Sequence, residues 1–255
     1  MKPVLTATLL AAGLAFSAAA QQKTEATAKP TPRTADGHPD LSGVWWKGGD
    51  VGGKGLQLGG TTTKFSDNYT PSAAAIAKKM SDKDDPTLGC VPTAFGTLNV
   101  DMFDVGAVAQ IVQTPKMVIF LTETFHGFQI VPTDGRPHRD NVPPAYRGDA
   151  VGKWDGDTLV VDKTKFTDNT WITAEGRVSP HSDALHIVER YRRTDANTLL
   201  IDATLEDPKM LTKPWVVPTQ KLVLAPFDQI LELNCAAGDT PGLIEAATNP
   251  DPAKK

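Results

Sequence analysis

Leu185-His186-Ile187-Val188-Glu189-Arg190-Tyr191-Arg192-Arg193, Thr194-Asp195-Ala196-Asn197 and Thr198-Leu199-Leu200-Ile201-Asp202-Ala203-Thr204-Leu205-Glu206 follow one another without a gap. The outer two segments are rich in apolar and β-branched residues, and the turn formers between them make the whole a β-hairpin. Side chains alternate across a strand, so Leu185 and Ile187 share a face with Glu189 and Tyr191, while His186, Val188, Arg190 and Arg192 occupy the other. The apolar face is the inward one. Glu189 is therefore expected inside the fold, where a carboxylate must find a partner or lose its charge.

Working outward, further strand-like runs are Leu41–Trp46, Ala109–Gln113, Met117–Glu123, His126–Val131, Thr158–Asp162, Met210–Val217, Gln220–Leu224 and Gln229–Cys235. An Asp-Gly turn within Lys153–Asp157 opens the strand at Thr158. One helix is expected near residues 71–80, with Thr70 as N-cap, Pro71 at the first position and Ala73–Met80 as its body. Strands at this spacing predict an all-β fold: a single antiparallel β-barrel or a closely packed sandwich. No period of about twenty to fifty residues recurs, which argues against a propeller. Parity places Glu123 with Met117, Ile119 and Leu121, and His126 with Phe128 and Ile130, both on faces expected to point inward.

The first twenty residues, with Lys2, the apolar run Val4–Phe16 and Ala18-Ala19-Ala20 before Gln21, have the form of a cleaved signal peptide. The apolar run is too short and too Ala-rich to span a bilayer. A periplasmic or secreted address is expected, followed by a disordered leader over residues 21–35, a barrel domain over 36–237 and a flexible tail over 238–255. In that oxidising setting the two cysteines, Cys90 and Cys235, are expected to pair. The formal net charge of −4, without a basic cluster, argues against nucleic acid, and no second apolar run suggests stable membrane insertion. Gly48-x-x-x-x-Gly53-Lys54 approaches a phosphate-binding loop, but Gly55 stands where Ser or Thr must ligand magnesium. The Gly-rich stretch 47–60 reads as a surface loop.

Gly43-x-Trp45 resembles the opening of lipocalin barrels, where the Trp plugs one end, and that resemblance implies a barrel of lipocalin or calycin type. From about Asp36 to Cys235 the chain also resembles a widespread family of secreted, β-rich bacterial proteins. That resemblance rests on Asp40-Leu41-Ser42-Gly43-Val44-Trp45, Gln113-Thr114-Pro115, Thr133-Asp134-Gly135-Arg136-Pro137-His138, Gly156-Asp157-Thr158-Leu159-Val160-Val161-Asp162, His181-Ser182, Glu189-Arg190-Tyr191-Arg192-Arg193, Asp207-Pro208-Lys209 and Lys213-Pro214-Trp215. The chain departs from the family at the Gly-rich stretch, and at Gln129 and Arg139, where Arg and Pro are expected. The resemblance implies a secreted address and a β-rich fold, and it names no activity.

His138 and His181 lie on loops restricted by Pro, beside Arg136, Asp140, Ser182 and Asp183. Such imidazoles can exchange protons with a substrate, and a nearby guanidinium can hold a developing oxyanion. The same histidines can equally pin their loops through backbone hydrogen bonds. The expected catalytic set is His138 and His181 as proton donors or acceptors, Glu189 and Tyr191 as the inner polar pair, and Arg136 as anion clamp. Trp171, Trp215, Glu123 and His126 would line the substrate. Glu189 can instead form a structural ion pair, with Arg136 or Lys213 as partner. His138, His181, His186 and Glu189 could also meet around a metal, but no His-x-His or His-x-x-x-His pair exists, and no metal is assigned. No serine-nucleophile or dinucleotide motif occurs.

The set points to an exported, cofactor-independent enzyme of lyase, dehydratase or isomerase type acting on a small, largely apolar or aromatic molecule. Two other readings use the same residues. One is a lipocalin-like carrier whose polar groups orient a ligand. The other is an envelope-interaction module that makes contact through the Gly-rich loop and the Arg190/Arg192 face.

Overall fold

A computed structural model describes residues 29–48, 64–95, 108–123, 125, 127–172 and 178–232. Its strands are β1 Gly43–Trp46, β2 Ala109–Thr114, β3 Met117–Thr122, β4 Gly127–Pro132, β5 Asp149–Asp155, β6 Thr158–Thr164, β7 His186–Asp195, β8 Thr198–Glu206 and β9 Trp215–Leu224. All pair antiparallel in one nine-stranded sheet of order β4-β3-β2-β1-β9-β8-β7-β6-β5. The expected all-β barrel is what forms. The two end strands, β4 and β5, come side by side without a shared ladder. A Cβ on Gly152 of β5 would stand 2.8 Å from Val131 Cγ1 of β4, so bare backbone packs there against a side chain. The barrel is therefore closed all round by hydrogen bonds except along this one seam.

Inward side chains build the interior in layers. Trp45, Ile111, Phe120, Val131, Leu159, Val161, Tyr191, Leu199 and Leu222 form one apolar cluster. Trp45 is fully buried, donates from Nε1 to Leu41 O at 2.9 Å and lies beneath the Arg193 guanidinium, 4.9 Å from the ring centroid. A second cluster joins Leu185, Ile187, Leu205, Trp215 and Val217 to Phe65, Phe95, Phe166, Ile172 and Leu211 from the connecting segments. Between the two, the same strands turn polar inside: Thr122 on β3, Gln129 on β4, Lys163 on β6 and Glu189 on β7 are all buried.

Helix α1 spans Pro71–Ala77, with the Thr70 hydroxyl accepting from Ala73 N at 3.2 Å, and is three residues shorter than expected. Met210–Val217 and Gln220–Leu224 are not two strands. β9 runs through Pro218, which cannot donate to the ladder, and the β8 register jumps there from Ile201↔Gln220 to Ala203↔Val217. Of the expected strand Gln229–Cys235, residues 229–232 are not in a strand and the rest lie outside the described residues. The disordered leader expected over 21–35 is corrected in its last part. Ala196 N donates to Lys29 O at 2.9 Å, Thr31 Oγ1 to Arg193 O at 3.1 Å, and Arg33 grips Asp157 at 2.9 and 2.6 Å. The signal-peptide segment, the tail 238–255, Cys235, His126 and all but the first two residues of the Gly-rich stretch lie outside the described residues. No cysteine among the described residues is free, and Cys235, the expected partner of Cys90, lies outside them.

Candidate functional site: a seam cleft backed by a buried polar layer

Strand β7 places Glu189 and Tyr191 inward as its alternation requires, at 1% exposure each. Tyr191 OH donates to Glu189 Oε2 at 2.6 Å, and Lys163 Nζ donates to Glu189 Oε1 at 2.8 Å. Among the described residues Lys163 joins the expected inner pair, and it, rather than Arg136 or Lys213, is the ion-pair partner of Glu189 there. Burial pushes the Lys163 ammonium below its ordinary pKa, opposed by the charge and hydrogen bond of Glu189. Phe120 lies over the Tyr191 ring, 5.0 Å between centroids, and seals that side.

A further member of the layer, Arg147, comes from the connection between β4 and β5. Arg147 Nη2 donates to Thr122 Oγ1 at 3.4 Å, and its carbonyl accepts from Gln129 Nε2 at 2.8 Å. Gly127 makes room for it: a Cβ there would lie 2.5 Å from Arg147 Nη2 and 2.5 Å from Thr122 Oγ1. Burial lowers the Arg147 pKa to about 10, with Glu189 and Tyr191 pulling it back up, so the group stays charged at neutral pH.

Arg147 stands at the seam, and outside it a cleft of about 540 Å³ opens between β4, the start of β5 and the segment joining them. Phe128 and Ile130 form one wall from the outer face of β4. Arg136, Pro137, Arg139 and Tyr146 form the roof. The roof is tied down at several points. Ala145 bridges to Phe166, Lys165 Nζ donates to the carbonyls of Arg139 and Asp140, and Arg139 Nε donates to Asp149 Oδ1 at 2.7 Å. Arg136 lines the cleft as an anion clamp would, but Asp134 holds it at 2.8 and 2.5 Å.

His138 is placed on the outer surface, not in the barrel. Its Nδ1 meets Asp149 Oδ2 at 2.9 Å and its Nε2 meets Asp162 Oδ1 at 3.0 Å. Asp162 alternates with the inward Val161 and Lys163, so His138 and Glu189 lie on opposite faces of the sheet. His186 continues the chain outside, with Nε2 3.1 Å from Asp162 Oδ1 and Nδ1 3.2 Å from Glu206 Oε2. Among the described residues no group of three or more His, Cys, Asp or Glu is arranged to hold a metal ion.

His181 is 4% exposed, within the second apolar cluster's surroundings, with Phe166 edge-on at 6.2 Å. Nδ1 donates to Ser182 O at 2.9 Å, which leaves Nε2 to accept from Thr170 Oγ1 at 2.6 Å. Burial lowers its pKa, so it is held neutral. Its bonds are those of a loop pin. Trp171 and Trp215, expected as ligand walls, are buried core. Trp171 bridges to Pro180, and Trp215 meets Phe65 and Phe95 edge-on at 5.7 and 6.3 Å.

Two faces are the reverse of the expectation. On β3 the buried residues are Val118, Phe120 and Thr122, so Glu123 points outward, where its Oε1 accepts from Leu231 N at 2.7 Å. Both faces of β3 are apolar, and periodicity has no contrast there to read. On β4, Gln129 and Val131 point in while Phe128 and Ile130 are exposed along the cleft. His126 belongs to the reversed reading but is outside the described residues.

Lys163, Arg147, Phe128 and Tyr146 were not among the expected site residues. Lys163 was within reach, because it continues the inward alternation of Leu159 and Val161. Arg147 lies in a loop with no period, and its position depends on where the two ends of the sheet meet. Comparison of the chain with family models, with curated proteins and with solved structures returns no match.

Proposed function

We propose that the chain is an exported small-molecule-binding barrel that takes a small, largely apolar ligand in the cleft along the β4–β5 seam. The observation that carries this reading is the cleft itself. At about 540 Å³ it is of the size that small ligands fill. Phe128, Ile130 and Tyr146 are 65%, 48% and 42% exposed there, apolar surface that a folded chain gains by covering. The pinned roof supports a cleft that exists before its ligand arrives. The signal-peptide form of the first twenty residues and the secreted-family resemblance support export.

A catalytic reading has one specific observation in its favour. Glu189, Lys163 and Tyr191 are joined by hydrogen bonds in a buried layer that meets the cleft at Arg147. Acid–base chemistry of lyase or isomerase type would then fall to these groups, without His138 and His181.

Native mass spectrometry of the full chain purified from an oxidising compartment tests the binding reading. A bound small molecule, released on unfolding and lost in Phe128→Ser, is the expected result. Retention undiminished in Phe128→Ser and Ile130→Ser would place the ligand elsewhere and overturn the reading. Recovering the released molecule after incubation with fresh protein separates the two functions: a carrier returns it unchanged and is thermally stabilised by it, whereas an enzyme converts it.

A further inference from the structure

The charged groups of the cleft wall are Arg136, Arg139, Arg147 and the single acid Asp149. Asp149 is already occupied by Arg139 and His138, and Arg136 by Asp134. Arg147 differs from both other arginines. Its one side-chain hydrogen bond among the described residues is the 3.4 Å contact to Thr122, and Glu189 acts on it only through space. Arg147 itself lines the cleft, with its Nη2 set against Gly127 and Thr122 at the cleft's inner end. A guanidinium at the cleft wall with no carboxylate bonded to it among the described residues is a receptor for one planar anion.

Resting on the binding reading above, we propose that the cleft takes a small monocarboxylate with an apolar body, its carboxylate on the Arg147 guanidinium and its body against Phe128, Ile130 and Tyr146. One guanidinium matches one carboxylate, the other two arginines of the wall already hold Asp134 and Asp149, and Phe128, Ile130 and Tyr146 supply the apolar surface beside it. Gly127 is part of the device, since any side chain there would drive the guanidinium from its place.

Isothermal titration of the full chain with 2-naphthoate and 2-naphthamide, and with octanoate and octanamide, isolates the charge at constant shape. The acids are expected to bind roughly ten- to a hundredfold more tightly than their amides, the range of a charge-assisted hydrogen-bonded pair. Arg147→Gln is expected to erase that preference, and Gly127→Ala to reduce it, while Arg190→Gln on the outer face leaves it intact. Gly127→Ala and the acid–amide comparison on the parent decide the matter if Arg147→Gln does not fold. Equal binding of acid and amide overturns the carboxylate assignment and leaves the cleft reading standing. A preference that survives in folded Arg147→Gln overturns the role of Arg147. Tighter binding of 2-naphthyl phosphate than of 2-naphthoate overturns the carboxylate in favour of another anion. Binding of any probe that is indifferent to Phe128→Ser and Ile130→Ser overturns the cleft reading itself.

Discussion

Replacing Glu189 by Gln keeps the shape of the polar layer and removes one charge from it. Lys163 Nζ stands 2.8 Å from Glu189 Oε1, and both side chains are 1% exposed. At an effective dielectric of about 20 the attraction is on the order of 6 kcal/mol, set against a desolvation penalty of similar size. The pair therefore adds little net stability, but breaking it leaves Lys163 buried without that counter-charge. The expected loss for Glu189→Gln is about 3–5 kcal/mol. For a fold of this size that is a fall in Tm of roughly 6–20 °C. The double variant Lys163→Met/Glu189→Leu is expected to recover most of it, within about 2 kcal/mol of the parent. The sign with pH is fixed as well. Burial already holds the Lys163 pKa below its ordinary value, and without Glu189 it falls further. The unfolded chain then binds the proton that the folded variant has released, so the variant gains stability as pH rises toward the ordinary lysine value of about 10.4. Urea denaturation of parent, single and double variants across pH 6–10 reads all three quantities. A loss under about 1 kcal/mol for Glu189→Gln, or a deficit that widens with pH, would refute the buried pair.

Gly127→Ala is expected to destabilise by about 1–3 kcal/mol through overpacking against Arg147 and Thr122, measured by denaturation, and to weaken 2-naphthoate binding. His186 is pulled down by burial, but its hydrogen bonds to Glu206 and Asp162 outweigh this and raise its pKa. Its stabilising increment is then full below about pH 6.5 and fades as pH rises through the higher folded value. Screening at this partly exposed site keeps it to a few tenths of a kcal/mol, so the stability gap between parent and His186→Gln should narrow from pH 6 to pH 8. Thr170→Val strips His181 Nε2 of its donor in a buried site and is expected to cost about 1–3 kcal/mol while leaving 2-naphthoate affinity unchanged. An affinity loss beyond that of a neutral core variant would show that His181 does reach the ligand.

The barrel was legible wherever one face of a strand is apolar and the other polar. The β7–β8 hairpin is such a case, and its alternation placed Glu189 and Tyr191 correctly. It failed on β3, whose faces are both apolar, and on β4, where Phe128 and Ile130 face out because a cleft needs an apolar wall. β5 escaped notice because Asp149–Asp155 carries few apolar residues and holds Gly152 against β4. The histidine-bearing loops were found, but whether a loop side chain lands inside or outside depends on tertiary packing. His138 went to carboxylates on the outer face, and His181 went to Thr170 under a loop. Arg147 could not be found by pattern, because the seam that exposes it exists only once nine strands have curled round.

Nitrogen-detected NMR of the arginine Nε–H groups tests the central claim most directly. The signal that vanishes in Arg147→Gln should shift on adding 2-naphthoate, while those of Arg190 and Arg192 on the outer face hold still. If 2-naphthoate binds and the Arg147 signal does not move, the guanidinium at the seam is not the ligand's anchor, and the account is contradicted.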